Sequence, residues 1–539
     1  MAERIYGIDL GTSNSAISYV DSLGVPVIQE NLDGDLSTPS VVWFESKANT
    51  VVGKLAREEK LFSPNDVIEL VKRSIGTDKK WNFSGKPYTP EEISSLILRS
   101  LIPDEAADDE ISAVITVPAY FGAKEREATR NAGQIANFNV LELVAEPVAA
   151  ALYYDSKQPL KDKTLLVYDL GGGTFDATIV QGIDNTFRVI ATDGDARLGG
   201  ADWDKALSEF ILDKFIEQTG DEEAENDETF VAKLHEQTVN CKEALSNAES
   251  ATVRLASDSG SRAKIAVTRE DLERVTAPLL EQTEIPLTRV LETAKEKEPG
   301  LTIDEVILVG GSSRMTAVTK LVERLTGKKP LLVEPDLAVA KGAALAAMIS
   351  KLGGVVNAES SPAVQQQSIA QIAAETGIDA GQLAALSEKK VANVLPKSIG
   401  IRVVDHLNNP YIDYLVNQND MIPLSEPVVR EYATIADGQE EVDLTLYQQA
   451  SDVPSEDVAL NDIISGSESM LTGIPPLPKG QPIQVKFFVA ADGMITVEGT
   501  HVPSGRSIES HVRIGVMNEE EISAARTTMM KVSVSQGDN

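Results

Sequence analysis

Along residues 1–353, short runs of β-branched and aromatic residues alternate with longer amphipathic stretches. "RIYGIDL", "ISAVITVPAY", "TLLVYDL", "FRVIATD" and "EVILVGG" predict buried strands, while "KEREATRNAGQIAN" and "DWDKALSEFILDKFIEQTG" predict helices. This alternation predicts α/β layers. Residues 354–390 are rich in Ala, Gln and Ser and show no strand pattern, which predicts a polar linker with one or two short helices. From 391 to 515 the pattern turns to strands. "EVDLTLYQ" alternates apolar and polar residues, and "QPIQVKFFVAADGMITVEGTHV" places two strands around an Asp492-Gly493 hairpin turn. Prolines at 423, 427, 475, 476, 478 and 503 punctuate the region, and an antiparallel β-sandwich is expected. Residues 516–539 predict one short helix, with Asn518 as a possible cap, and a tail.

A chain of 539 residues exceeds one hydrophobic core, so two or three domains are expected. The balance of 49 basic against 83 acidic residues gives −34. That sign is opposite to what a nonspecific nucleic-acid or anionic-membrane binder needs. Part of the charge lies in "DEEAENDE", residues 221–228, which reads as an exposed loop. Cys241 is the single cysteine, which excludes intrachain disulfides and cysteine-built metal clusters. The start "MAERIYGIDLG" has no signal-peptide pattern, and "LAVAKGAALAAMIS" at 337–350 is too short to span a bilayer, so a cytoplasmic protein is expected.

The chemistry concentrates in a turn built twice. "YGIDLGTSNS", residues 6–15, and "VYDLGGGTFD", residues 167–176, both run strand, Asp, Leu, Gly, small hydroxyl residue. Three glycines in a row cost backbone entropy on folding. A glycine-rich turn after a strand can aim several N–H groups at one anion, and side chains there would block a phosphate. Asp9 and Asp169 cannot bind phosphate themselves, but they can hold Mg²⁺ through its waters. Two such turns facing each other would clamp a triphosphate from both sides. One copy alone would read as an ordinary strand connection. There is no G-x-x-x-x-G-K-[ST] and no G-x-G-x-x-G after a strand, so P-loop and Rossmann sites are unsupported. Gly310 and Gly311 in "VILVGGSSRM" could let a purine approach the backbone.

"GIDLGTSNS", "VITVPAYF", "AEPVAAAL", "VYDLGGGTFD", "LGGADWD" and "VILVGGSSRM" occur in this order. Together they resemble the ATPase domain of the 70-kilodalton heat-shock chaperone family of DnaK type, whose wider superfamily includes actin and sugar kinases. The likeness covers 1–350 well and extends weakly over 391–515. It implies a duplicated, ribonuclease H-like, actin-type ATPase domain at 1–353, a linker insertion at 354–390, a peptide-binding β-sandwich at 391–515, and a tail at 516–539. By the same resemblance, ATP or ADP is the ligand, with Mg²⁺ and K⁺ held around Asp9, Asp169 and Asp176. Gly11, Thr12, Ser13 and Asn14 would form the first phosphate loop, and Gly171, Gly172, Gly173 and Thr174 the second. Lys72 in "VKRSIG" matches the family's catalytic lysine, which contacts the γ-phosphate and the attacking water. Glu146 would orient or deprotonate that water, with Asp169 and Thr174 beside it. Each has a plainer reading: a solvated helix-end lysine, and a carboxylate at a helix N-terminus before Pro147. Gly199, Gly200, Lys242, Ser246, Gly310, Gly311, Ser312, Arg314 and Asp336 match ATP-binding positions, with Arg314 able to stack on adenine. Pro118 and Arg126 match positions that couple the ATPase to the peptide domain. Val403, Val404, Val442 and Leu444 fall near the groove-lining positions, with Tyr411 and Tyr414 as a groove rim; strand residues at period two are more often plain core.

The sequence also departs from the family. Glu243 stands at one adenine-clamp position and Val239 at an acidic adenosine contact. The stretch from Gly76 to Thr89 is shortened, and Glu142 replaces an arginine used to dock J-domain co-chaperones. "SEKKVANVL" stands where the family has a leucine-rich linker, and no helical lid is expected. The expectation is an ATP-dependent, chaperone-like protein that binds extended or unfolded protein segments. J-domain and nucleotide-exchange partners are possible under the resemblance; nucleic acid and membrane are not expected partners. The rivals are a nucleotide-gated regulator with weak ATPase and one dedicated partner, and a small-molecule kinase, which the sandwich and the Glu146-Pro147 motif oppose.

Overall fold

A computed structural model describes residues 4–102, 110–183, 185–354, 361–395, 397–450, 453–464, 466–490, 494–512, 517 and 519–536. The chain divides into two compact units. One comprises residues 1–120, 129–390 and 519–539, and the other 121–128 and 391–518.

The first unit is built on two sheets of matching design. One runs Phe138–Ala145, Ile111–Val117, Tyr6–Asp9, Asn14–Val20, Pro26–Ile28. The other contains, as consecutive neighbours, Leu331–Leu332, Glu305–Val309, Thr164–Leu170, Phe175–Ile183, Thr186–Asp195. In both, the strand that ends in the aspartate pairs parallel on one side and antiparallel on the other. Strand Thr164–Leu170 is buried at every position, the pattern of a strand covered on both faces. The same order and pairing in both halves is the duplicated, actin-like architecture.

The apolar stretch at 337–350 becomes helix Ala338–Gly353, which lies against both helix Glu146–Lys157 and strand Tyr6–Asp9. Its small residues are needed for that fit. A Cβ on Gly342 would strike the Ala149 carbonyl, and one on Gly7 would strike the backbone of Ala343 and Ala344. Residues 361–390 form helices Pro362–Thr376 and Ala380–Ser387. They are anchored by buried Ile372, Ile378 and Leu383 and by the Asp379 N–H donating to the Ser22 carbonyl at 3.1 Å. This segment belongs to the first unit. The acidic stretch at 221–228 includes a short 3₁₀ turn, Glu222–Asn226, with Ala224 buried, followed by the helix cap Asp227. Helix Glu519–Met529 is followed by strand Ser533–Ser535, an element the pattern did not predict.

The second unit is a sandwich. One sheet runs Pro410–Val416, Ile399–Val404, Leu446–Gln449, Asn461–Ile463. The other runs Val428–Ala433, Pro482–Val489, Ile495–His501, Arg506–Val512, all antiparallel. Ile483, Val485, Phe487 and Val489 point inward at period two and meet Ile399, Ile401 and Leu446 in one core. The Asp492-Gly493 turn and the Asn518 cap lie outside the described residues. The single strand expected at "EVDLTLYQ" is two, Glu441–Asp443 and Leu446–Gln449, in different sheets. Asp443 causes the break: its Oδ1 accepts from the Thr445 N–H at 3.0 Å and from its hydroxyl at 2.6 Å, a local turn that competes with the ladder.

Candidate nucleotide site

The second glycine turn is held from behind. The Gly171 carbonyl accepts from the Gly200 N–H at 3.0 Å and the Gly172 carbonyl from the Ala201 N–H at 2.8 Å. The Gly173 carbonyl accepts from Arg73 Nε at 2.9 Å. A trans peptide is planar with its C=O and following N–H opposed. Three consecutive carbonyls drawn to one side therefore turn the N–H groups of Gly172, Gly173 and Thr174 to the other. That row of donors is an anion nest. The first turn is tied likewise: the Gly11 carbonyl accepts from the Ser40 hydroxyl at 2.8 Å, and the Ser13 carbonyl from the Ser40 N–H at 2.9 Å.

The two turns face each other. A Cβ on Gly172 would overlap the Ser13 side chain, and one on Gly173 the Thr12 side chain. A Cβ on Gly199 would lie 2.5 Å from the Gly173 nitrogen. The glycines are thus required by the closeness of the two loops as well as by any phosphate.

Four carboxylates and one lysine converge beside the turns. Asp169 and Asp176 are direct cross-strand partners, both buried. Asp9 ends its strand and accepts from the Thr116 hydroxyl at 3.1 Å. Lys72 and Glu146 form a buried ion pair, Nζ to Oε1 2.5 Å, their side chains 6% and 8% exposed. Lys72 lies on a 3₁₀ turn, Val71–Ser74, entered through Leu70 at φ 55°; Glu146 opens a helix, with Pro147 in its first turn. Burial and the Glu146 charge push the Asp9 carboxyl up to about 7. Asp169 and Asp176 are also raised well above the usual range, by burial and then by the neighbouring carboxylates. Burial opposes the Lys72 charge, but Glu146 and Asp9 outweigh it and the ammonium holds its proton more tightly than usual.

A cation fits this cluster. Asp176 Oδ1 is buried with no hydrogen-bond partner among the described residues, and the negative charges outnumber the one lysine. Among the described residues no three acidic or His/Cys side chains converge as a direct ligand set. Mg²⁺, which dehydrates reluctantly, would therefore be held through its waters.

The predicted adenosine residues also gather. A Cβ on Gly200 would meet the Ser312 hydroxyl and lie 3.1 Å from Lys242 Nζ. Lys242 donates to the Gly200 carbonyl at 3.1 Å and pairs with Asp204 at 2.8 Å. Gly310, at φ 79°, passes so close to the Leu170 carbonyl and Asp169 that no side chain fits. Arg314 is ion-paired with Asp336, Gly311 opens the short turn that Arg314 ends, and Ser246 caps helix Glu228–Leu245. A cavity of about 430 Å³ lies beside this group rather than at the carboxylates; its apolar walls include Trp203, Leu272 and Met315, and of the predicted residues it touches Ser246.

Three positioning residues escaped the sequence reading. Arg73 spans from the lysine turn to the second loop: beyond Gly173, its fork grips Asp202, Nη2 to Oδ2 at 2.5 Å and Nη1 to Oδ1 at 3.3 Å. Asp202 Oδ2 in turn accepts from the Gly199 N–H at 2.8 Å. Arg57 donates to the Ser13 carbonyl at 3.2 Å and to Asn14 Oδ1 at 3.3 Å. The available signals were the cation next to Lys72 and the acid inside "LGGADWD"; Arg57 had none.

Elsewhere the predicted residues are dispersed. Pro118 follows strand Ile111–Val117 in the first unit, and Arg126, which donates to the Phe121 carbonyl at 2.9 Å, lies in the second. Glu142 is half-buried, engaged with Arg130 and Ser350, and burial raises its carboxyl. In the sandwich, Val403, Val404 and Val442 are half-buried. Leu444 is a correction: it is 1% exposed, in the core against Gly499, so no peptide surface remains on it. Tyr414 is likewise no free rim; its hydroxyl is held by the Ser455 carbonyl at 2.9 Å and Asn461 at 2.8 Å. No helix among the described residues is long and apolar enough to cross a membrane.

The family profile described as Hsp70 protein matches residues 5–82, 78–358 and 359–537. The chain is 35% identical over 538 residues to Chaperone protein DnaK of Thermotoga neapolitana, covering 97% of this chain and 83% of that one. Chaperone protein DnaK of Thermotoga petrophila matches to the same extent, 35% over 538 residues, again 97% and 83%.

Proposed function

The chain belongs to the Hsp70 protein family, and from that premise we propose that the paired turns and the Lys72–Glu146 pair form its ATP-hydrolysing site. As a family member it is an ATP-dependent chaperone: it binds ATP and ADP with Mg²⁺, hydrolyses ATP, and binds unfolded protein segments and co-chaperones. The observation that carries the site assignment is the row of three carbonyls tied from behind, which turns the N–H groups of Gly172, Gly173 and Thr174 away from their supports.

In this reading the two loops bind the phosphate oxygens, with Thr12, Ser13 and Asn14 opposite the glycine turn. Lys72 places a fixed positive charge where negative charge grows on the γ-phosphate. Glu146, held by Lys72, orients the attacking water and accepts its proton as ADP and inorganic phosphate separate. Asp9, Asp169 and Asp176 would hold Mg²⁺ through its waters, and the ion when bound would supply positive charge against the phosphates; K⁺ would be held by the same cluster. Gly200, Lys242, Ser246, Gly310, Gly311, Ser312, Arg314 and Asp336 would seat the nucleoside. Half-buried Val403, Val404 and Val442 are the candidates for peptide contact. A J-domain co-chaperone and a nucleotide-exchange factor are the partners proposed, with Glu142 expected to weaken the first because its charge is reversed and engaged internally. Resemblance to chaperones over 97% of the chain gives the dedicated-regulator alternative no support.

Calorimetric titration of Mg-ATP into folded Gly172→Ala tests the assignment. The added methyl must displace Ser13, so affinity should fall at least tenfold; wild-type affinity would refute it.

A further inference from the structure

Residues 519–536 follow the sandwich in sequence yet belong to the ATPase unit, so the chain leaves that unit after Lys390 and returns to it at Glu519. The returning segment is built in. Strand Ser533–Ser535 adds in parallel to the edge strand Asn49–Val52, with Ser533↔Asn49, Val534↔Thr50 and Ser535↔Val51 in register. The Ser533 N–H donates to the Ala48 carbonyl at 2.8 Å, and the Thr50 hydroxyl to the Ser533 carbonyl at 3.0 Å. Arg99 caps the end of the preceding helix, donating to the Met529 carbonyl at 2.7 Å and the Val532 carbonyl at 3.0 Å. Gln536 donates to the Ser100 carbonyl at 2.6 Å and accepts from the Leu32 N–H at 2.9 Å. Met529 is fully buried and Val532 nearly so.

This dock lies on the elements that shape one side of the nucleotide site. Strand Asn49–Val52 leads through Gly53, at φ 108°, into helix Lys54–Glu59, whose Arg57 holds the first phosphate loop. Helix Pro90–Ser100, which carries Arg99, packs against the Lys72 turn. We propose that residues 519–536 are a strap, a second anchor through which nucleotide in the first unit biases the sandwich, in addition to the connection at 390–391. Coupling between two sites needs an element whose contacts differ between their states. An added edge strand with one helix cap can act as such an element, because it docks or releases as one segment, with Met529 and Val532 as its buried anchors.

The dock itself stands on geometry; only its coupling to peptide release rests on the chaperone reading. The test uses the full chain. Ser533→Pro removes the N–H that bonds Ala48, and Met529→Asp places a charge at a fully buried position. Hydrogen exchange reports the dock, and fluorescence anisotropy with a labelled extended apolar peptide reports ATP-induced release. The expected result is slow exchange, in wild type, of those 49–52 amides that face strand Ser533–Ser535, since the strand also pairs with Val42–Trp43 on its other side. At least tenfold faster exchange is expected there in each variant, with the main thermal transition retained. The ATP effect on peptide dissociation should shrink at least threefold in both. Free exchange of those amides in wild type, unchanged exchange in both variants, or an unchanged ATP effect despite a released strap would overturn the strap. No ATP effect on peptide in wild type would overturn its coupling together with the chaperone reading, leaving the exchange result to report the dock alone.

Discussion

Arg73→Ala offers the sharpest test of how the proposed phosphate loop, the second glycine turn, is set. Arg73 makes three bonds at once, to the Gly173 carbonyl at 2.9 Å and through its fork to Asp202 at 2.5 and 3.3 Å. Without them the Gly173–Thr174 peptide is free to rotate, and the Thr174 N–H is no longer fixed toward the nest. Charge-assisted bonds contribute roughly 1.5–3 kcal/mol each. The Arg73 and Asp202 side chains are 19% and 27% exposed, so water takes back part of this, and Asp202 keeps its bond from Gly199. A net loss on the order of 2 kcal/mol corresponds to about thirtyfold in kcat/KM for ATP. Arg73→Lys keeps the charge but not the fork, and should recover less than half of that loss in kcal/mol. Single-turnover hydrolysis beside calorimetric ATP titration measures both. Folded Arg73→Ala with kcat/KM within threefold of wild type would falsify the role given to the three tied carbonyls.

Lys72→Ala should cost about 2–4 kcal/mol of barrier stabilisation while ATP still binds; unchanged single-turnover hydrolysis would remove Lys72 from the chemistry. Asp9→Asn tests the electrostatics through pH. Because the folded carboxyl is raised from 3.8 to about 7, the nucleotide-free protein loses stability as pH rises from about 4 to about 7. Asp9→Asn removes that loss, so calorimetry should show it gaining on wild type at pH 8 but not at pH 4; parallel profiles would rule the raised carboxyl out. The same variant should lose Mg-dependent ATP binding or turnover, which a titration with and without Mg²⁺ checks.

The sequence made the α/β layers, the sandwich and both glycine turns readable because each rests on local signals: period-two strands, buried β-branched runs, and glycines at fixed offsets from an aspartate. The long-range ties were not readable. Arg73 and Asp202 are 129 positions apart, and neither has a pattern that announces the other. Strand Ser533–Ser535 is short and polar, and only its pairing with Asn49–Val52 makes it a strand. "EVDLTLYQ" misled because alternation says nothing of a turn made by the Asp443 side chain. Leu444 misled because a groove-lining and a core leucine share the same period, and only the opposing Gly499 decides between them. The helix Ala338–Gly353 was legible as apolar, but not as the element that brings Gly342 onto Ala149.

The central claim is that the acidic cluster and the paired turns hydrolyse Mg-ATP. Single-turnover ATP hydrolysis by the full chain, with and without Mg²⁺, in wild type and in Asp169→Asn, tests it most directly. The account predicts turnover that requires Mg²⁺ and is lost in folded Asp169→Asn. Turnover that persists in that variant at the wild-type rate, or that is the same without Mg²⁺, would contradict it.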